Sequence, residues 1–381
     1  MNRVSPTFNP VCKFDLKAPA ANGLQRGFTT GTSATAATKA ALTLLLSGTL
    51  PAEVRVSLPD GLHYLPVPIS PIPQTEGWAS ASVIKDGGDD PDQTHRARII
   101  SRVRRNQFGD IVFLRGKGVG VVTQPGLRIP IGEPAINAVP RAMMRQAVSE
   151  VLESDEPNLG LDIEIGCENG EQIAKRTFNP RLGIVDGISI LGTTGIVEPK
   201  SLASFMASIE VYVRVALGDS PSQIVLSPGN LGQRFARSSL QLQPSRIVQM
   251  SNFVGFAIDT VSDTLKESGT VLPLLWVVGH PGKLAKLLLD EWDTHSNRGA
   301  SAVDALTCTA SHHFPALTSL LLGAPSTEAV IERLHGHAEA GSFWRKIEDA
   351  IGAVVRARVE HVDRVQVRLF GMDGTPLGGN P

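Results

Sequence analysis

Leu274-Leu275-Trp276-Val277-Val278-Gly279-His280-Pro281-Gly282-Lys283 decides the fold reading of this chain. The apolar run is too short for a helix and reads as a buried strand. The Gly-His-Pro-Gly turn then leads into a helix expected to reach about residue 289. The same order recurs upstream. Residues 223–226 lead to Ser227-Pro228-Gly229-Asn230 and a helix from about 231; 246–250 lead to Ser251-Asn252 and a helix over about 253–268. Residues 188–191 lead to Gly192-Thr193-Thr194-Gly195 and a helix over about 199–217. Helical stretches fill much of 300–357, and 365–369 gives a last strand. Repeated strand–turn–helix units predict a mostly parallel sheet with helices on both faces, a Rossmann-like α/β domain. Ligands of such sheets sit beyond the carboxyl ends of the strands, where all four turns are expected.

The preceding half reads differently, as α+β. Arg26-Gly27-Phe28-Thr29-Thr30-Gly31-Thr32-Ser33 runs into an alanine-rich helix over about 33–47. Thr30, Thr32 or Ser33 can cap it, and Gly48 can stop it. Unpaired N–H groups and the helix dipole make the turn a candidate anion site; a plain capped helix is the alternative. Residues 53–58 alternate like a strand, and 62–69 can return as a hairpin partner that its prolines confine to an edge or a loop. Further strands are expected at 79–84, 97–104, 111–114 and 161–167, with a helix over 140–152. The domain boundary is expected near 180–186, giving an α+β domain over 1–183 and the α/β domain over 184–381.

A chain of 381 residues is too long for one core. Hydrophobic content of 42% with 19% charged residues fits a globular protein. A net charge of −1, from 36 basic and 37 acidic residues, gives no bulk attraction for nucleic acid or membrane. Cys12, Cys167 and Cys308 lie far apart, with no Cys-x-x-Cys pair to hold zinc or iron–sulfur clusters. Sparse cysteine, no apolar leader and no long apolar run point to a cytoplasmic protein.

Several segments carry chemistry. Lys85-Asp86-Gly87-Gly88-Asp89-Asp90-Pro91-Asp92 could hold a hard cation, a ribose or an ammonium group, or be a solvated turn. Gly116-Lys117-Gly118-Val119-Gly120 has the look of a phosphate loop but lacks the Walker spacing. Glu133-Pro134-Ala135-Ile136-Asn137 with Arg141 offers a guanidinium for fork-like pairing with a carboxylate. His280 and Lys283 add titratable heads to a strand-end turn. His312-His313 lacks ligand spacing and reads as structural. No G-x-G-x-x-G run follows a strand, which disfavours NAD or FAD.

As an ordered set these motifs resemble the cobalt-precorrin-5B C1-methyltransferases of cobalt-early B12 synthesis. The set comprises Phe28–Thr32, Lys85–Pro91, Gly132–Asn137, Gly187–Pro199, Asn252–Gly255 and Gly279–Lys283, and the resemblance covers roughly 26–296. It implies methyl transfer from S-adenosylmethionine to C1 of a cobalt corrinoid, yielding cobalt-precorrin-6A, with cobalt arriving inside the substrate and no protein-held metal. On that reading Gly192, Thr193, Thr194, Gly195, Asn230, Asn252, Gly279 and Gly282 would bind S-adenosylmethionine. Thr29, Thr30, Gly31, Thr32, Ser33, Lys85, Asp89, Asp90, Arg141 and Lys283 would face the small-molecule corrinoid across a domain cleft. Asp86 or His280 would take a proton or balance charge. Homo-oligomerisation is left open. A small-molecule kinase with Asp89 and Asp90 on Mg²⁺, and a non-catalytic corrinoid carrier, are the alternatives.

Overall fold

The computed structural model describes residues 10–152, 159–295 and 301–378. The segment 296–300, where the resemblance ends and the last helical stretch is expected to begin, lies outside the described residues. The chain divides into two compact units, Met1–Ser204 and Phe205–Pro381.

The first unit begins with short strands β1 (Cys12–Lys13) and β2 (Gly27–Phe28), then α1 (Thr30–Ser47). Ala34, Ala36, Ala37, Ala40, Ala41 and Leu42 of α1 are all shut from solvent. Small side chains on every face let this helix sit inside the core rather than on it. The cap is Thr29, one residue before the earliest candidate, and its side chain accepts the Thr32 N–H. Gly48 stops the helix with φ 72°. Strands β3 (Glu53–Ser57) and β4 (His63–Pro68) form the expected antiparallel hairpin. β4 is not an edge strand throughout, however, because β1 runs parallel to it at His63 and Tyr64. Pro66 and Pro68 lie past the end of β1, so their missing N–H groups leave no gap in that ladder.

Next come β5 (Ala79–Ile84), β6 (Arg98–Arg105), β7 (Ile111–Arg115), β8 (Val121–Val122), α2 (Ala138–Leu152) and β9 (Leu161–Cys167). The sheet order is β5-β6-β9-β7, with only the β7–β9 pair parallel. After α3 (Gly170–Ala174), β10 (Ile184–Val185) pairs with β8 and β11 (Ile196–Val197) pairs with β2.

Two expectations fail in this unit. Residues 188–191 are not a strand of the second sheet. Ile188 bonds Gly118 and Gly120, Ile190 bonds Ala135 and Asn137, and both isoleucines are buried in the first core. A short apolar run cannot declare its partner, and here the partners lie upstream. The first unit therefore extends past the expected boundary at 183 to 204. The Gly116–Gly120 run is likewise no phosphate cradle. A Cβ on Gly118 would lie 2.1 Å from the Cys167 carbonyl, and Cβ atoms on Gly170 and Gly187 would lie 2.1 and 2.4 Å from the Gly118 carbonyl. These glycines let three backbone segments touch.

The second unit takes in most of α4 (Leu202–Leu217), followed by β12 (Gln223–Ser227), α5 (Asn230–Ser238), β13 (Ile247–Gln249), α6 (Val254–Ser268) and β14 (Leu272–Gly279). After these come α7 (Pro281–Leu284), a 3₁₀ stretch over Ala285–Leu289, α8 (Ala302–His313), α9 (Pro315–Leu321), α10 (Thr327–Leu334), α11 (Ala340–Arg358) and β15 (Val362–Leu369). The sheet order is β13-β12-β14-β15, all parallel. Ile224, Leu226, Leu275 and Val277 point to one face, buried with α4, α6 and α8 to α11. Val225, Trp276 and Val278 point to the other, against Phe235 and Ala236 of α5. The chain leaves β12 in one direction and crosses back to β14 in the other, so the connections diverge between these two strands. Their carboxyl ends mark the place where such sheets hold ligands.

Gly118 and Gly48 both have φ near the left-handed region, at 79° and 72°, but only Gly118 is crowded. Gly48→Ala should cost about 1 kcal/mol, and Gly118→Ala at least about 3 kcal/mol. Urea unfolding of the two variants checks the difference; equal losses would mean that the close backbone contact carries no weight.

Candidate functional site

The first unit gathers three of the sequence motifs, Phe28–Thr32, Lys85–Pro91 and Gly187–Pro199, around the start of α1. Phe28 donates its N–H to the Asp86 carbonyl, and Asp89 donates its N–H to the Gln25 carbonyl. A Cβ on Gly27 would lie 2.3 Å from the Gly87 backbone, and one on Gly88 would lie 2.2 Å from the Gln25 carbonyl. Segment 187–199 closes the other side. Gly31 N–H donates to the Leu191 carbonyl at 2.9 Å, Thr29 N–H to the Gly195 carbonyl at 3.0 Å, and Thr32 Oγ1 to the same carbonyl at 2.7 Å. Pro140 of α2 abuts Gly31.

This closure corrects the anion-site reading of the turn. Thr29, Thr30, Gly31, Thr32 and Ser33 are buried. The N–H groups of Gly31, Thr32 and Ser33 already have protein acceptors: the Leu191 carbonyl, Thr29 Oγ1 and the Thr29 carbonyl. Lys85 is 1% exposed, with Nζ 2.6 Å from Asp92. Burial works to raise the Asp92 carboxyl, but the Lys85 charge and hydrogen bonds from Lys85 and Thr94 outweigh it and hold it below the ordinary carboxylate value. Lys85 is therefore a buried tie, not a substrate-facing cation. The aspartates do not converge on a cation either. Asp89 accepts the Gln25 N–H, Asp90 the Lys200 N–H, and Asp86 the Gly88 N–H. No group of three metal-ligating side chains occurs among the described residues. Arg141 braces its own turn, donating to Ile136 and pairing with Glu133 at 3.1 Å.

What stays open beside this seam is a smaller set. The Asp86 side chain is 60% exposed and 3.8 Å from His95. Thr193 and Thr194 are exposed on the turn whose glycines wrap Thr29 and Leu58. Arg96 is exposed and held at φ 64°, its N–H donating to the Lys85 carbonyl at 2.8 Å. A non-glycine residue in that region is uncommon, and nothing in the sequence pattern singles it out.

The second unit places Asn230, Asn252, Gly279 and Gly282 along the carboxyl edge of its sheet. Gly192 to Gly195 are not there, because their segment belongs to the first unit. At the end of β12, Ser227 Oγ donates to the Gly229 carbonyl at 2.7 Å. A Cβ on Gly232 would lie 2.3 Å from Ser227 Oγ and 2.7 Å from the Val278 carbonyl, so α5 begins hard against two strands. The Gly229-x-x-Gly232 spacing is a signal the sequence reading passed over. At the end of β13, Asn252 Nδ2 donates to Asp293 at 2.6 Å. Burial lowers the Lys283 pKa below its ordinary value, against the pull of the nearby Asp293 charge.

His280 has a definite job. Its Nδ1 accepts the Gly282 N–H at 3.1 Å and caps α7, and Nε2 stands 2.5 Å from Glu328 Oε1. Accepting at Nδ1 puts the proton of the neutral ring on Nε2. Burial lowers the pKa below the ordinary 6.5, with Glu328 acting in the opposite direction. The one lone pair a general base would use is occupied, so His280 reads as a capping residue. Glu328 belongs to a capped helix start, Ser326-Thr327-Glu328, far away in sequence.

The CbiD family model matches residues 17–199, nearly the whole first unit. A curated relative from Ralstonia nicotianae is 53% identical over 96% of both chains. One from Chromobacterium violaceum is 51% identical over 97% of this chain and 99% of the other. Each bears the name cobalt-precorrin-5B C(1)-methyltransferase. A crystal structure of a cobalamin biosynthesis protein from Archaeoglobus fulgidus is 25% identical, with a TM-score of 0.40 over 66% of this chain and 88% of that one. An α/β methyltransferase of cobalamin biosynthesis is the class that results. The chain belongs to the cobalt-precorrin-5B C(1)-methyltransferase family.

The His280 assignment has a pH signature. A folded pKa below the unfolded value means that the folded state binds fewer protons as pH falls. The stability His280 contributes is full above its ordinary value of 6.5 and is lost as pH drops through the lowered folded value. His280→Asn keeps a capping acceptor without a titrating group, so its melting temperature should fall less steeply than wild type below about pH 6.5. Parallel acid slopes in thermal melts would remove His280 from this role.

Proposed function

We propose that this enzyme methylates C1 of cobalt-precorrin-5B with S-adenosylmethionine as donor, giving cobalt-precorrin-6A. The observation that carries the reading is the 53% identity, over 96% of both chains, to a relative named for that reaction. S-adenosylmethionine, when bound, supplies an electrophilic methyl group on a sulfonium.

Residues of the second unit fit such a donor. α5 starts at Gly229 with no side-chain cap, which leaves its first N–H groups open to a carboxylate. A Cβ on Gly229 would meet nothing within 4 Å, so the backbone there is approachable. Asp293, beside Asn252, supplies a carboxylate for an ammonium group. In the first unit, Arg96 and Thr193 are exposed groups suited to the carboxylates that fringe a corrinoid. Transfer from sulfur to carbon is an in-line displacement in which the protein aligns its two substrates and excludes water, with no nucleophilic side chain required. Asp86, the exposed carboxylate of the Asp-Gly-Gly loop, is the residue here assigned to hold or accept a proton.

The direct test incubates the purified enzyme with methyl-labelled S-adenosylmethionine and cobalt-precorrin-5B. Label at C1 of the product is expected; label elsewhere, or none, refutes the proposal. Asp86→Asn keeps an acceptor for the Gly88 N–H, so it should leave the melting temperature within about 2 °C and cut turnover at least tenfold, roughly the scale of lost acid–base help. Unchanged turnover would take Asp86 out of the site.

A further inference from the structure

A cavity of about 300 Å³ lies in the second unit between α5 and residues 370–376. It belongs to none of the motifs discussed so far. Its size is at the lower end of small-molecule sites, about 300–1,000 Å³, and is too small for a corrin-sized macrocycle. Leu231, Phe235, Phe370 and Pro376 give it an apolar lining, and Arg234 and Asp373 add charge. The two phenylalanine rings stand 5.1 Å apart, centroid to centroid, and tilted by 49°.

Its position joins it to the strand-end turns. Leu231 follows Asn230 in the first turn of α5, and Phe370 donates its N–H to the carbonyl of Gly279 at 3.1 Å. The cavity is thus walled by one face of α5, the helix that follows β12, and by the residues that directly continue β15, which Phe370 ties to the end of β14. Asp373 is set in a fixed orientation: Oδ1 accepts the Thr375 N–H at 2.8 Å and Oδ2 accepts Thr375 Oγ1 at 2.7 Å. A largely apolar recess with one oriented carboxylate suits a purine nucleoside, its base against the apolar wall that Leu231 and Pro376 share with the ring edges of Phe235 and Phe370, and its ribose hydroxyls donating to the acid.

We infer that this cavity seats the adenosine portion of the methyl donor, with Asp373 accepting from the ribose. The inference rests on the proposal that S-adenosylmethionine is the donor. Calorimetric titration of the full chain with S-adenosylhomocysteine, and separately with adenosine, tests it. Wild type should bind both. Ser238→Trp, which fills the cavity from an exposed position on α5, should weaken both by roughly tenfold or more, about 1.4 kcal/mol. Asp373→Asn should weaken both several-fold while circular dichroism stays unchanged. If wild type and Asp373→Asn bind S-adenosylhomocysteine equally, the adenosine is held elsewhere and the inference falls, although the donor proposal survives. The same holds if a folded Ser238→Trp binds as wild type does. If wild type binds no S-adenosylhomocysteine, the inference and the donor proposal fall together.

Discussion

Backbone touching backbone, with no side chain between, is the constraint on which the first unit depends. Three joints share it: Gly27 and Gly88 across the start of α1, Gly118 against Cys167 and Gly170, and Gly187 against Gly118. Each brings together segments distant in sequence, and each would be pried open by a single methyl group. The hydrogen bonds then follow from proximity. Phe28 reaches the Asp86 carbonyl, Ile188 the Gly118 carbonyl and Cys167 the Lys117 carbonyl. Glycine is costly in the unfolded state, since it has more freedom to lose. Its density here is explained by the absence of any other residue that fits.

The same constraint explains what could be read from sequence and what could not. Local order was legible. The alanine helix, its glycine stop, the β3–β4 hairpin and the strand–turn–helix units of the second sheet all fall close to their expected positions. Propensity and period act over neighbours, and these elements are decided by neighbours. Partnership was not legible. Residues 188–191 have the composition of a parallel-sheet strand, yet they bridge Gly118–Gly120 and Ala135–Asn137 of the first unit. The glycine-rich stretch at 116–120 looks alike whether its N–H groups face an anion or a carbonyl.

The candidate site shows the same division. Motif order pointed to the right family, and the motif segments do assemble within each unit. The roles of individual residues were less accessible, because a side chain's task depends on its partner. Lys85 could have been a surface cation; Asp92 makes it a buried tie. His280 could have been a base; the Gly282 N–H makes it a cap. Asp293 and Glu328 gain meaning only through Asn252 and His280, which lie far from them along the chain.

Two helix starts in this protein make the general point. α1 and α5 carry the same unpaired N–H groups and the same dipole at their first turns. At α1 those groups are met by Leu191 and Thr29, under a lid of buried threonines. At α5 no side chain caps the turn, and Gly229 leaves its approach clear. An anion-binding motif is therefore not a property of a helix start but of what the rest of the fold leaves beside it. Here the sequence signal was stronger at α1, and the physical opportunity is at α5. The parallel sheet supplies the reason. Its connections diverge between β12 and β14 and leave the approach to Gly229 clear, whereas the first unit uses the N–H groups of Gly31, Thr32 and Ser33 to close its own core.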